Sequence, residues 1–190
     1  MHQTRTVIRV FLASPGDVPQ EREVAASVIR EANEVLAFHL GIILEVVRWE
    51  DMTPGMGRPE QVILDQARLD DVDVFIGVLW GRFGTPTGVA DSGTEEEFDI
   101  AYDSWSKHKR PHIMFYFCER PHNFKSELET EQKAKVLKFR KRMESCGLVA
   151  RFTELFGIDG FENRLRRDVY KLLLKTAGVV PATNRTVPAL

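Results

Sequence analysis

The sequence predicts an α/β domain in three layers, a five-stranded parallel sheet in the order 2-1-3-4-5 with helices on both faces. Three observations predict it. Strand-like and helix-like patterns alternate from end to end, as they do when each parallel strand returns through a helix. The run 72–79 is apolar almost throughout, which marks a central strand covered on both faces. That run passes through a glycine-rich loop into a helix opening on Glu95, Glu96 and Glu97, a loop–helix junction of the kind that closes parallel α/β units. Together they give the flavodoxin-like arrangement.

The elements follow in order. Residues 7–12 read as the first strand, and Ala13-Ser14-Pro15-Gly16 turns the chain into a helix over 18–36. Asp17 is its expected cap, with Gln20 three residues on completing a capping box. Val24, Val28, Ala32 and Val35, with Ala25, Ile29 and Leu36, give the apolar stripe. A second strand is expected over 44–49, then a Gly/Pro-rich loop over 50–59 and a helix carrying Val62, Ile63 and Ala67. After the third strand at 72–79, the helix from Thr94 carries Phe98, Ala101, Tyr102 and Trp105 on one side. The fourth strand is 113–117; a long charged helix follows with Leu128, Val136, Leu137 and Phe139; a short edge strand is 149–152. The helix 161–174 closes the domain with Leu165, Val169, Leu172 and Leu173 inward. From Gly178 onward periodicity is lost, so the reading is a domain over 1–177 and a flexible tail or linker over 178–190, as suits a chain continuing into another domain.

Bulk properties narrow the function classes. With 43% hydrophobic residues in 190, the chain can bury one good core. A net charge of -2 gives no general footprint for nucleic acid or an acidic membrane, so neither is an expected partner. Cys118 and Cys146 lack metal-knuckle or redox-pair spacing and read as reduced thiols. Without a signal-peptide pattern or an apolar run of membrane-spanning length, a cytoplasmic protein is expected.

In doubly wound sheets, ligands bind beyond the carboxyl ends of the strands where the order reverses, here between the first and third strands. The loops 13–17, 80–93 and 50–59 would meet there, each rich in glycine, proline and acids. Glu97 is the leading candidate: Ala101, one turn on, leaves room beside it, although a first-turn acid also serves simply to complement the helix dipole. Successive helix residues advance by about 100°, so at most two of the three glutamates can face the cleft. Trp80 could stack on an aromatic base or pack at the rim with its indole N–H on a loop carbonyl. Ser14, Asp51 and Arg82 could contact ribose or phosphate oxygens, or be solvated. The five histidines show no metal-ligand spacing and no nucleophile beside them, so no metal site is expected. A G-x-x-x-x-G-K-[ST] phosphate loop is lacking.

The segments R-V-F-L-A-S-P-G-D-V (9–18), W-E-D-M-T-P-G (49–55), D-V-F-I-G-V-L-W-G-R-F-G (73–84) and S-G-T-E-E-E-F-D-I-A (92–101) resemble a family. It is the TIR-like, SPGDV-type family of unknown function associated with NLR-type and bacterial defence proteins, and more distantly TIR domains in general. Pro54-Gly55 falls where the TIR BB loop has its own such pair, and Glu97-x-x-x-Ala101 matches the placement of the TIR catalytic glutamate. The string G-T-x-x-E-x-x-x-A, at 93–101, is also similar to nucleoside 2-deoxyribosyltransferases, whose glutamate is the nucleophile. The S-x-W-C-x-x-E form common in TIR domains is replaced here by a longer glycine loop.

The resemblance implies an NAD+ glycohydrolase of immune or antiphage signalling, cleaving the nicotinamide–ribose bond, with cyclisation of the ADP-ribose product as a variant. NAD+ would be substrate, not cofactor. Glu97 would stabilise the ribosyl cation, Trp80 or Phe11 would stack on nicotinamide, and Ser14, Asp51 and Arg82 would hold ribose or phosphate. Self-association on activation and a sensor or NTPase domain, C-terminal or separate, are the implied partners. The alternatives are a non-catalytic self-associating adaptor, with Glu97 only a cap, and a deoxyribosyltransferase-like enzyme.

Overall fold

The computed structural model describes residues 5–48, 51–147 and 149–179. Trp49 and Glu50 of the expected second strand and loop, and the expected tail from 180 on, lie outside the described residues. The chain runs β1 (Thr6–Ala13), α1 (Pro19–Ala32), β2 (Ile42–Val47), α2 (Pro59–Ala67), β3 (Val74–Leu79), α3 (Gly93–His108), β4 (His112–Cys118), α4 (Glu127–Cys146), β5 (Ala150–Phe152) and α5 (Phe161–Thr176). The sheet is parallel throughout in the order β2-β1-β3-β4-β5.

Every residue of β3 is buried, as the unbroken apolar run predicts. Alternation then divides its side chains between two cores. Val74, Ile76 and Val78 join Ile8, Val10 and Leu12 beneath α1 and α5, while Phe75 and Leu79 join Phe11, Phe98, Phe115 and Phe139 beneath α2, α3 and α4. Gly77 falls on the aromatic side, where a Cβ would overlap the Phe115 ring, so the close packing of β3 on β4 depends on glycine. Register places Val10 beside Val74 and Ala13 beside Gly77, which brings the carboxyl ends of β1 and β3 together. This is the point where strand order reverses.

Several local expectations are corrected. The expected 18–36 helix is α-helical only to Ala32; a π turn over Asn33–Ala37 and a 3-10 turn over Phe38–Leu40 follow. Asn33 stands at the change, its amide donating to Leu44 O at 2.8 Å and accepting from Leu44 N at 2.7 Å, bonds that tie the helix end to β2. Val35 accordingly turns out to solvent. Leu128 and Leu137 are also exposed, and α4 faces the core through Val136, Phe139 and Met143, a narrower stripe. Asp17 does not cap α1: Val18 occupies the cap position without a side-chain bond, and Pro19 opens the helix. Proline at the first turn suits a position whose N–H has no intrahelical partner. No helix among the described residues is long and apolar enough to cross a membrane.

Candidate functional site

The loop from β3 to α3 reaches the sheet's carboxyl edge with Gly84 at φ 118° and Gly88 at φ 87°, backbone that side chains rarely adopt. It ends at Ser92, whose Oγ accepts from Glu95 N at 3.1 Å and caps α3. Three successive glutamates then diverge around the helix. Glu95 turns outward, accepting from Asp91 N at 3.1 Å and pairing with Arg142 Nη1 at 3.3 Å. Glu96 turns towards α2 and accepts both arms of the Arg58 guanidinium, at 2.7 and 2.6 Å. This bidentate bond, with the Thr87 hydroxyl adding a weaker one, holds the Glu96 carboxyl below the usual carboxylate range.

Glu97 points inward and is only 6% exposed. Its carboxyl meets that of Glu60, in the first turn of α2. Burial pushes the Glu97 pKa well above the carboxylate range, and the charges of Glu60 and Glu96 push the same way, while Arg22 opposes them. Glu60 is also raised, by burial first and the charge of Glu96 next, with Arg58 opposing. Two carboxyls in contact cannot both ionise cheaply, so each raises the other's hold on a proton, and the more deeply buried Glu97 is raised the further. Gly93 makes the approach possible: a Cβ there would overlap the Glu60 carboxylate.

Around this pair the loops are bound to one another. Asp17 Oδ2 accepts from the N–H groups of Gly81 and Arg82, both at 2.8 Å, and so joins the β1–α1 turn to the β3–α3 loop. From α4, Gln132 Oε1 accepts from Phe83 N at 2.8 Å and Gly84 N at 3.0 Å. Lys133 Nζ donates to Trp80 O at 2.6 Å; burial lowers its pKa. Buried Glu21 pairs with Arg120 and fastens α1 to the segment after β4. Two cavities open on this edge, one of about 500 Å³ lined by Asp17, Arg82, His122 and Gln132, the other of about 370 Å³ lined by Asp17, Glu21, Trp80 and Arg120.

The sequence-derived candidates fall into three groups. Ser14 and Arg82 sit in the two joined loops: Ser14 Oγ accepts from Arg22 Nε at 2.9 Å, and the Arg82 side chain is exposed. Trp80 takes the packing arrangement, its indole N–H donating to Arg120 O at 3.1 Å, its ring edge-on to His122 and beneath the Arg120 guanidinium. Phe11 and Asp51 have other neighbours. Phe11 is fully buried, tilted against Phe75 at 5.8 Å, because its strand position faces the aromatic core. Asp51 is exposed and pairs with Arg48 at 3.0 Å.

The space expected beside Glu97 is also different in kind. Ala101 is buried in the aromatic core, and what stands against Glu97 is a second carboxyl. Glu60, Arg58, Arg22 and the bridging role of Asp17 were not read from the sequence. Arg58-Pro59-Glu60 carries the one usable signal, a helix start with an acid in its first turn. Its meeting with α3 joins segments more than 30 residues apart and has no local signature.

A search of the solved structures finds, among other matches, the flavodoxin, WrbA-like protein from Agrobacterium tumefaciens, 13% identical over 92% of this chain and 98% of that one, with a TM-score of 0.37. The curated proteins contain no match. The profile that matches residues 9–170, nearly the whole described domain, is that of a domain of unknown function, DUF4062, and the chain belongs to that family.

Proposed function

We propose that this domain is a TIR-like NAD+ glycohydrolase of defence signalling, working in the cytoplasm, with Glu97 as its charge-stabilising residue. The observation that carries the reading is the carboxyl pair of buried Glu97 and half-buried Glu60 at the reversal point of a 2-1-3-4-5 sheet. Cleavage converts NAD+ and water into nicotinamide, ADP-ribose and a proton. Nicotinamide leaves neutral, so no strong general acid is needed, and positive charge develops on the ribose. A carboxylate of this pair, ionised, would stand beside that ribose, and the burial of Glu97 leaves a charge there little screened. Ser14 and Arg82, on the joined loops, would contact ribose or phosphate oxygens.

The loop after β2 supports self-association as the means of activation. Met56 is fully exposed, although Thr53 is fixed to α2 by Gln66, accepting and donating at 2.9 and 2.8 Å. An exposed methionine on an anchored loop suits contact with a second copy, and a sensor or NTPase domain would control that contact. The same exposure favours the second reading, a non-catalytic adaptor. The deciding experiment is nicotinamide release from NAD+ by the purified protein across a range of concentrations, with deoxynucleosides tried in parallel. Release supports the glycohydrolase. Silence with NAD+ and base exchange with deoxynucleosides supports the transferase, and silence with both leaves the adaptor.

A further inference from the structure

We infer that Glu60 is the positioning residue of this site, acting through its carboxyl–carboxyl hydrogen bond to Glu97 to fix the orientation of the Glu97 carboxyl towards the cleft. The inference rests on the glycohydrolase reading for its catalytic meaning, and on geometry for its substance.

Three observations converge on Glu60. Its carboxyl lies against the first residue of α3, where only a residue without a Cβ leaves room for it. Glu60 Oε1 is buried and has no hydrogen-bond partner among the described residues, and a proton on the neighbouring Glu97 carboxyl would satisfy it. Two residues before Glu60, Arg58 grips Glu96 through two bonds, locking the start of α2 onto the start of α3 and holding Glu60 in place. Among the described residues, the charged groups that act on Glu97 are Glu60 from α2, Glu96 from α3 and Arg22 from α1. A buried carboxyl free to rotate would present a different oxygen at each visit; one bonded to a fixed neighbour presents the same oxygen every time.

The arrangement also governs the proton. With Glu60 ionised beside it, Glu97 stays protonated into a range where an isolated glutamate would be ionised. Replacing Glu60 by glutamine removes that neighbouring charge and supplies an amide that donates to an ionised Glu97, so the Glu97 titration moves to lower pH.

The test combines a titration with kinetics. Carbon-13 carboxyl shifts of Glu97 are followed against pH in the wild type and Glu60→Gln, with Glu97→Gln to assign the signal. The kcat and KM for NAD+ are measured on the same samples and on Glu60→Ala. The expected result is a Glu97 midpoint above the ordinary range that falls in Glu60→Gln, a kcat lowered ~10-fold or more with KM little changed in Glu60→Ala, which keeps no group to bond the Glu97 carboxyl, and a kcat largely restored in Glu60→Gln, whose amide bonds it again. A Glu97 midpoint that is the same in wild type and Glu60→Gln overturns the pairing, and an unchanged kcat in Glu60→Ala overturns the positioning role. A wild type that titrates as expected but releases no nicotinamide overturns the glycohydrolase reading instead.

Discussion

Asp17 and Gly81 are bonded across the reversal point of the sheet: one carboxylate oxygen of Asp17 takes the Gly81 N–H at 2.8 Å and the neighbouring Arg82 N–H at the same distance. A residue placed to begin a helix instead holds a loop 64 residues away. Its other oxygen is buried and has no partner among the described residues. Asp17→Ala should release both amides to faster hydrogen exchange and cost about 1–3 kcal/mol in chemical denaturation, the scale for hydrogen bonds to a charged group. Unchanged protection of Gly81 and Arg82 would remove the bridge from the account.

For catalysis, Glu97→Gln keeps the size of the side chain but removes its ability to take up negative charge as the ribosyl cation develops, and should lower nicotinamide release by ~10²-fold or more. Glu95→Gln, about 200° away around the helix, should be nearly as active as wild type, because Glu95 faces Arg142 at the surface. Equal rates for the two variants would exclude Glu97 from the chemistry.

The same substitution has a stability signature with a definite sign. A carboxyl whose pKa is raised on folding binds its proton more tightly in the native state, so native stability falls as pH rises from the ordinary value near 4.5 towards the raised one. Glutamine mimics the protonated acid and does not titrate. The melting temperature of Glu97→Gln relative to wild type should therefore be higher at pH 8 than at pH 4. A difference independent of pH would mean that Glu97 is not held protonated.

Arg58 and Glu96 give the opposite sign. The Arg58 guanidinium holds the Glu96 pKa down, so its contribution is present at neutral pH and is lost as pH falls through the lowered value. Arg58→Met should lower the melting temperature at pH 7, and the gap to wild type should narrow in acid. Thermal scans from pH 3 to 8 check this.

If assembly controls activity, specific activity should rise with protein concentration, and Met56→Lys should flatten the rise without lowering the melting temperature, since the side chain is fully exposed. Gly55→Arg should flatten it too, but with some local strain, because even a Cβ at Gly55 would lie 3.1 Å from Val62 Cγ1. A rate per molecule that does not change with concentration counts against assembly.

The sequence by itself determined the parallel sheet, its five strands and the start of α3, because these depend on local regularities. An apolar run such as 74–79 needs cover on both faces, and Ser92 followed by Gly93 and acids needs no distant partner to cap a helix. It also singled out Glu97. Only the tertiary structure decided what Glu97 faces. Whether a first-turn acid is solvated or buried depends on which element lies over it, and here that is the first turn of α2, brought near by Arg58–Glu96 and admitted by Gly93. Trp80, Phe11 and Asp17 teach the same point: each carries a residue type that suits two roles, and the choice was made by neighbours at the opposite end of long-range contacts, Arg120 for the indole, Phe75 for the phenyl ring and the Gly81 amide for the carboxylate. Periodicity records which side of an element is apolar; it carries no record of which polar groups meet when those sides are packed together.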